Sequence, residues 1–367
     1  MRKRVIMLGT IVSLLFSACA YGFAAKEIQA AIVLDGANIE ACAYIYGGDV
    51  YLPLRAVGEA LGYEIQWSGE EQTVSVSRPG ENIVIDLSND KITADDHVYY
   101  MGGDYSAKGF YGGSVTIGDR MYMRADFFSD NLGLKVRWDG QNGIMQLESV
   151  KKNAISIKTV KEASEDDKIK ITIQYPQIDG LADKTVQDSI NSIFEKSATD
   201  ARNEGLKNVE EMEKVRASGY TGSPNKCETY FDYRLKYNQS GLLSVVCMDY
   251  QYAGGAHGLT VQSSHTFNLK TGEEYQLKDL MKNDADYVSL INNTVRNEVN
   301  ERVKEGTLSE NKPFETIRDD QDFYLADSAV VVYFQQYEYW PYTAGIQEFP
   351  VDFSALKDML KPGFLVS

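Results

Sequence analysis

Tyr51-Leu-Pro-Leu-Arg55, followed by Ala60-Leu-Gly62, Trp67 and Thr73-Val-Ser-Val76, belongs to a stretch that occurs twice: Tyr51 to Val76 aligns with Tyr122 to Leu147 at a constant offset of 71 residues. Leu61-Gly62 matches Leu132-Gly133, Trp67 matches Trp138, Gly69 matches Gly140, and the alternation of Ile65 and Trp67 recurs at Val136 and Trp138. Each copy reads as one small unit. A strand at Val50 to Leu52 leads into a helix from Leu54 to Leu61, which Gly62 closes as a left-handed cap. A hairpin follows, Tyr63 to Trp67 and Thr73 to Ser77, turned through Ser68-Gly69. The second copy keeps this order, with Asp139-Gly140 as its turn. A hairpin this small needs a large aromatic to be stable. Trp67 and Trp138 are therefore expected in the core, not as sugar-stacking platforms.

Ahead of the repeat, Arg2, Lys3 and Arg4 precede an uncharged apolar run from Val5 to Phe16. The run is shorter than the roughly 20 residues a membrane-spanning helix needs, and Ala18 and Ala20 frame a small-residue cleavage site. It reads as an export signal over residues 1–20, cut after Ala20. Leu15-Phe16-Ser17-Ala18-Cys19 supports a second reading, lipidation at Cys19, which would make the chain a lipoprotein. With 43% hydrophobic and 25% charged residues the remainder has ordinary globular composition. Removing the signal leaves 34 basic against 53 acidic residues, a net charge near -19. That balance disfavours nucleic acid and anionic lipid as partners, and leaves a lipid at Cys19 as the only membrane link. Cys42, Cys227 and Cys247 remain, an odd number from which no disulfide framework follows. A tight turn through Asn238-Gln239-Ser240-Gly241 sets Cys227 opposite a residue near Tyr252, not opposite Cys247.

Beyond Val150 the repeat stops and a second domain is expected over residues 151–367, after a first over 26–150. Strands alternate at Ala154 to Val160 and Lys168 to Tyr175. Val186, Ile190, Ile193 and Phe194 then follow helical spacing from a cap at Asp183, giving a helix from about Thr185 toward Gly205. Strands are expected at Glu228 to Asn238, Leu242 to Tyr252, Thr260 to Asn268, Glu273 to Leu277, Val330 to Gln335 and Glu348 to Asp352. A second helix carries Val288, Ile291, Val295, Val299 and Val303 on one stripe and stops at Gly306. The fold class is α+β: two small repeated strand-helix-hairpin units, then an α+β domain with a mainly antiparallel sheet packed by two helices.

The first-copy residues, Tyr51-Leu-Pro-Leu-Arg55, Ala60-Leu-Gly62 and Trp67, resemble the stalk domain named after the N-terminus of copper amine oxidase. The second copy departs from that pattern, with Arg124 for the proline and Asp126 for the arginine. Residues 26–150 hold one histidine, His97, and one cysteine, Cys42, too few for a copper site. Further on, Tyr250-Gln-Tyr-Ala-Gly-Gly-Ala-His-Gly258 and Tyr337-Glu-Tyr-Trp-Pro-Tyr-Thr-Ala-Gly345 stand with Phe267-Asn-Leu-Lys-Thr-Gly272 and Phe349-Pro-Val351. Together they resemble the extracellular domain of lysozyme-sensing anti-sigma-V factors and the region in front of a peptidoglycan deacetylase domain. The resemblance implies an extracytoplasmic binding module, without the cytoplasmic or catalytic output each relative attaches to it.

The residues themselves offer few routes to catalysis. Three histidines at these spacings assemble neither a metal site nor a nucleophile-base pair, so neither an enzyme nor a cofactor is expected. His257 sits among Gly254, Gly255 and Gly258, which either admit a ligand to the backbone or simply shape a turn across which the imidazole hydrogen-bonds. Tyr339-Trp340-Pro341-Tyr342 packs four rigid groups into a segment that Pro341 keeps out of a central strand, which suits either a binding loop or a buried plug. Gly254, Gly255, His257, Tyr339, Trp340, Pro341 and Tyr342 are therefore the candidate ligand-binding residues. The expected partner is an extracellular protein of lysozyme-like type, with cell-wall glycan as the alternative and a cell-wall-modifying enzyme as the third reading. The expected location is secreted or on the outer face of a Gram-positive-type envelope.

Overall fold

The computed structural model describes residues 28–46, 49–101, 113–219, 226–309 and 312–364. The export segment, with Ala20 and Cys19, lies outside the described residues. In the first part, β1 (Ile28–Leu34), β2 (Ala37–Tyr46) and β3 (Asp49–Pro53) pair in antiparallel succession, and β3 runs straight into α1 (Leu54–Ala60). Gly62 ends α1 at φ +84°, a conformation that costs a glycine little. β4 (Glu64–Ser68), β5 (Thr73–Arg78), β6 (Glu81–Asp86), β7 (Lys91–Ala94) and β8 (His97–Tyr100) form a five-stranded meander. β9 (Ser114–Ile117) and β10 (Arg120–Arg124) precede α2 (Ala125–Phe127), which continues as a π-helical turn to Leu132. β11 (Leu134–Asp139) and β12 (Ile144–Ser149) follow.

Strand, helix and hairpin follow one another in both copies, yet the copies are not separate units. β3 pairs with β10, from Tyr122↔Pro53 to Arg124↔Tyr51. Leu52, Leu54 and Val57 share one core with Phe127, Leu132 and Leu134. Units of this length bury too little surface to stand alone, and fusing them gives a common interior. The two hairpins then part company. β12 lies parallel to β1 in a seven-stranded sheet of order β11-β12-β1-β2-β3-β10-β9, whereas β4 and β5 open the meander. Trp138 packs against the shared core, but Trp67 is 50% exposed, contrary to its expected burial. It shares a strand face with buried Ile65 but stands at the end of β4, beyond the reach of the packed layer.

The second part has two sheets. β13 (Ser156–Glu165), β14 (Ile169–Asp179), β15 (Cys227–Gln239), β16 (Leu242–Tyr252) and β17 (Leu259–Asn268) lie in sequence order, antiparallel except for the β14–β15 pair. α3 (Lys184–Ala217) begins at Asp183, whose carboxylate accepts from the Thr185 and Val186 N–H groups. It runs well past Gly205. That glycine is a contact point instead of a stop, since a Cβ there would lie 2.0 Å from Thr229 Oγ1 on β15. α4 (Tyr287–Lys304) packs on a three-stranded antiparallel sheet of β18 (Phe323–Leu325), β19 (Ala329–Phe334) and β20 (Gln347–Asp352). Each helix thus serves its own sheet, where the sequence suggested one sheet under both. Of the strand expected at Glu273 to Leu277, only the bridge Phe267↔Glu274 forms. Glu228 faces Tyr252 and Tyr233 faces Cys247, so Cys227 and Cys247 sit far apart on the ladder. Both are free, and burial pushes both thiols up. Among the described residues no helix is long and apolar enough to cross a membrane.

The two parts meet at a polar seam. β14 and β15 stop pairing at Ile173↔Phe231, and there Gln174 turns its amide to β8. Val98 N–H donates to Gln174 Oε1 at 3.2 Å, and Gln174 Nε2 donates to Val98 O at 2.5 Å. Lys236 reaches Asp130 at 2.8 Å, and the Arg234 guanidinium lies 4.1 Å from the centre of the Tyr99 ring. A cavity of about 410 Å³ opens along this seam, lined by Arg124, Asp126, Asp130, Arg234, Lys236 and Glu348. Most of these charges neutralise one another: Arg124 pairs with Asp126, and Lys236 with Asp130.

Candidate functional site

The glycine-rich loop after β16 and the aromatic loop after β19 come together, although some eighty residues separate them. In the first loop Gly254 takes φ +79°, and Gly258 lies under the Tyr250 ring, where a Cβ would come within 2.4 Å of the ring carbons. The Gly255 carbonyl accepts from the Tyr252 hydroxyl at 2.9 Å. This folding presents His257 outward. Its Nδ1 lies 2.8 Å from Gly258 O, an atom that can only accept, so Nδ1 carries the proton and Nε2 faces outward. The Tyr337 hydroxyl lies 3.4 Å from that Nε2.

The imidazole stacks on Tyr342 with centroids 4.0 Å apart and planes 23° apart, and Tyr337 flanks Tyr342 at 5.8 Å. Tyr337 is 58% exposed and holds φ +66°, a left-handed backbone that costs a bulky residue about 1–2 kcal/mol. Its neighbours impose that conformation. Glu338 accepts from the Gln335 N–H at 3.0 Å and pairs with Arg318. Gln335 and Gln336 clasp the free edge of β17: the Thr260 N–H donates to Gln336 Oε1 at 3.2 Å and the Gln262 N–H to Gln335 Oε1 at 3.1 Å. Gln335 Nε2 returns a bond to Gln262 O at 2.7 Å. Side-chain amides thereby satisfy an edge that would otherwise invite another strand.

The four-residue aromatic run divides between surface and core. Pro341 starts a short turn, Tyr342–Ala344, that lifts Tyr342 toward His257. Trp340 turns the other way. It is 3% exposed, between Phe334 and Phe349 at 5.8 and 5.7 Å, and its indole N–H has no hydrogen-bond partner among the described residues. Tyr339 packs edge-on against Phe314 and Phe334 with Lys312 over its ring, half-buried. Of the expected residues, Gly255, His257, Pro341 and Tyr342 form one surface, while Gly254 is buried, Trp340 belongs to the core and Tyr339 to its margin. Tyr337 joins that surface unforeseen. Its sole signal was a place at the head of the aromatic run, because nothing in a tyrosine's identity announces a positive φ.

The cluster offers flat aromatic area and one outward imidazole nitrogen. Among the described residues no group of three or more His, Cys, Asp or Glu side chains is placed to hold a metal ion. His265, the other histidine of this part, is engaged with Glu274 at 2.7 Å.

Comparison with known proteins divides the chain along the same lines. Residues 33–147 match the family model of the copper amine oxidase N-terminal domain, residues 162–260 that of deacetylase PdaC, and residues 278–354 that of a protein of unknown function, DUF3298. The anti-sigma-V factor RsiV of Bacillus subtilis (strain 168) is 26% identical over 215 residues, 56% of this chain and 70% of RsiV. The peptidoglycan-N-acetylmuramic acid deacetylase PdaC of the same organism is 25% identical over 147 residues, which are 38% of this chain but only 30% of that enzyme. A solved DUF3298 family member from Bacteroides fragilis aligns with a TM-score of 0.44 at 17% identity, covering 58% of this chain and 96% of that one. Another from Pseudomonas aeruginosa gives 0.42 at 13%, covering 58% and 97%. The chain thus joins a copper amine oxidase N-terminal-like domain to a region homologous to RsiV and PdaC, and His257 meets Tyr337 and Tyr342 where its PdaC and DUF3298 segments touch.

Proposed function

We propose that this chain is an extracytoplasmic, non-catalytic binding module that docks a protein partner through His257, Tyr337 and Tyr342, with lysozyme-like cell-wall hydrolases as the partner class. The observation that carries the reading is the convergence of the two loops into an exposed aromatic stack, with Tyr337 held at φ +66° and 58% exposed. Rigid tyrosines held in a fixed, exposed position give large contact area at low entropic cost. The likeness to RsiV and PdaC supports an envelope setting, and the excess of acidic residues favours cationic partners. In this reading residues 26–150 support, and residues 151–367 dock. The protein is secreted or held on the outer face of the envelope, with lipidation at Cys19 as the alternative to release.

Calorimetric titration of the full chain with hen-type lysozyme and other muramidases at low salt tests the proposal. Saturable binding that weakens as salt is added supports it. No measurable heat at high micromolar concentration removes lysozyme-like enzymes as the partner class.

A further inference from the structure

Trp67 stands at the lip of a cleft of about 570 Å³ that lies away from the aromatic stack, within the copper amine oxidase N-terminal-like part. The volume is within the range of small-ligand sites. Leu54, Ile65, Val74 and Met121 give it an apolar floor. The indole edge runs along the hairpin turn, with Nε1 3.4 Å from where a Gly69 Cβ would be, so the ring has a set orientation. Its counterpart Trp138 sits the same way over Gly140 but is packed against the core. The fold can therefore bury this tryptophan, and at Trp67 it does not.

Around the floor runs a ring of charged groups of both signs: Arg55, Glu59, Glu40, Asp119 and Arg120. Arg55 is held in place, donating to Ile65 O at 2.8 Å and pairing with Glu59 at 3.1 Å, with its side chain 58% exposed. Glu40, Asp119 and Arg120 are exposed and have no ion-pair partner among the described residues. An apolar helix would need no such ring, and a polyanion would meet three carboxylates against two guanidiniums. A pyranose fits both features. Its C–H face is apolar and flat enough for an indole, and its hydroxyls, which donate and accept, project toward the rim.

We infer that this cleft binds a pyranose oligosaccharide, uncharged or amino-bearing, stacked on Trp67 and hydrogen-bonded to Arg55, Arg120 and the rim carboxylates. The inference is independent of the docking surface around His257.

The test titrates the full chain with the β-1,4-linked tetramer of N-acetylglucosamine and, separately, with its de-N-acetylated counterpart, following the indole N–H resonance of Trp67 and its fluorescence. Saturable change with either sugar is expected. Trp67→Ala should weaken binding at least tenfold, Trp67→Phe should retain most of it, and Arg120→Ala, at the exposed start of β10, should weaken it several-fold. Tyr337→Ala should leave it unchanged. No saturable response to either sugar overturns the inference, as does equal affinity in Trp67→Ala or Trp67-dependent self-association in place of sugar binding. Because lysozyme docking uses other residues, failure of either proposal leaves the other standing.

Discussion

His97 Nε2 lies 2.7 Å from Asp232 Oδ1 across 135 residues of sequence, and its ring stacks on Tyr233 with centroids 4.1 Å apart. Burial works against the charge on Asp232, but Arg234 first and then the His97 bond outweigh it and hold the carboxyl at about 2. Burial pushes His97 below its ordinary value, more strongly than Asp232 raises it. Asp232 thus ties the two parts together as a buried carboxylate with three partners, His97, Arg234 and the Tyr230 hydroxyl. Asp232→Ala would strand Arg234 without its counter-charge, and breaking a buried pair in this way costs about 3–5 kcal/mol. Urea denaturation of the full chain measures it; a loss under about 1 kcal/mol would show the seam to be ornamental.

Asp327 gives the opposite pH trend. Burial, and next the nearby Asp130, raise its carboxyl to about 7, against Lys152, while Gln239 donates to it at 3.1 Å. A carboxyl raised above its unfolded value of roughly 4 favours the fold fully below that value, and the contribution is lost as pH rises through 7. For Asp232 the contribution is present above roughly 4 and lost as pH falls through about 2. Asp327→Asn should therefore stabilise the protein by about 1–2 kcal/mol at pH 8 and have little effect at pH 4. Thermal melts at the two pH values check this, and an equal shift at both would contradict it.

Residues 151–367 made alone carry His257, Tyr337, Tyr342 and their supports intact. They also lose the partners of Gln174, Asp232 and Lys236 in the first part. The isolated fragment is expected to bind whatever the full chain binds at the aromatic stack, but to melt several degrees lower. A fragment as stable as the full chain would mean that the seam contributes nothing.

Trp340 and Tyr342 are two residues apart and should respond differently. Trp340→Ala empties a site enclosed by Phe334 and Phe349 and should cost about 3–5 kcal/mol. Tyr342→Ala, half-buried on a surface turn, should cost under about 1 kcal/mol. Denaturant midpoints separate the two.

Much of this architecture could be read from periodicity. The strands at Leu242 to Tyr252 and Val330 to Gln335, the helix through Ile291 and Val295, and the caps at Asp183 and Gly62 follow from local pattern, because local pattern forms them. Trp67 departs from expectation because two copies of one motif need not share neighbours: the second hairpin joins β1 in the seven-stranded sheet, whereas the first opens the separate meander. Gly205 resembled a stop because the sequence does not show Thr229 pressing on the helix. Within the candidate site, composition marked both loops but not which aromatics face outward. Pro341 reverses direction between Trp340 and Tyr342, and the strain at Tyr337 comes from Glu338, Gln335 and Arg318, contacts that exist only once the chain is folded.

The most direct measurement of the central claim is the lysozyme dissociation constant of the full chain beside that of a Tyr337→Gly, Tyr342→Ala double variant, by calorimetry at low salt. Glycine relieves the left-handed strain at position 337, so the variant should stay folded, with stability within about 1 kcal/mol of the parent. Binding should weaken by about 2 kcal/mol or more, roughly thirtyfold, as expected for the loss of a paired aromatic hot spot. Undiminished binding by the folded variant would contradict the claim that this cluster is the docking surface.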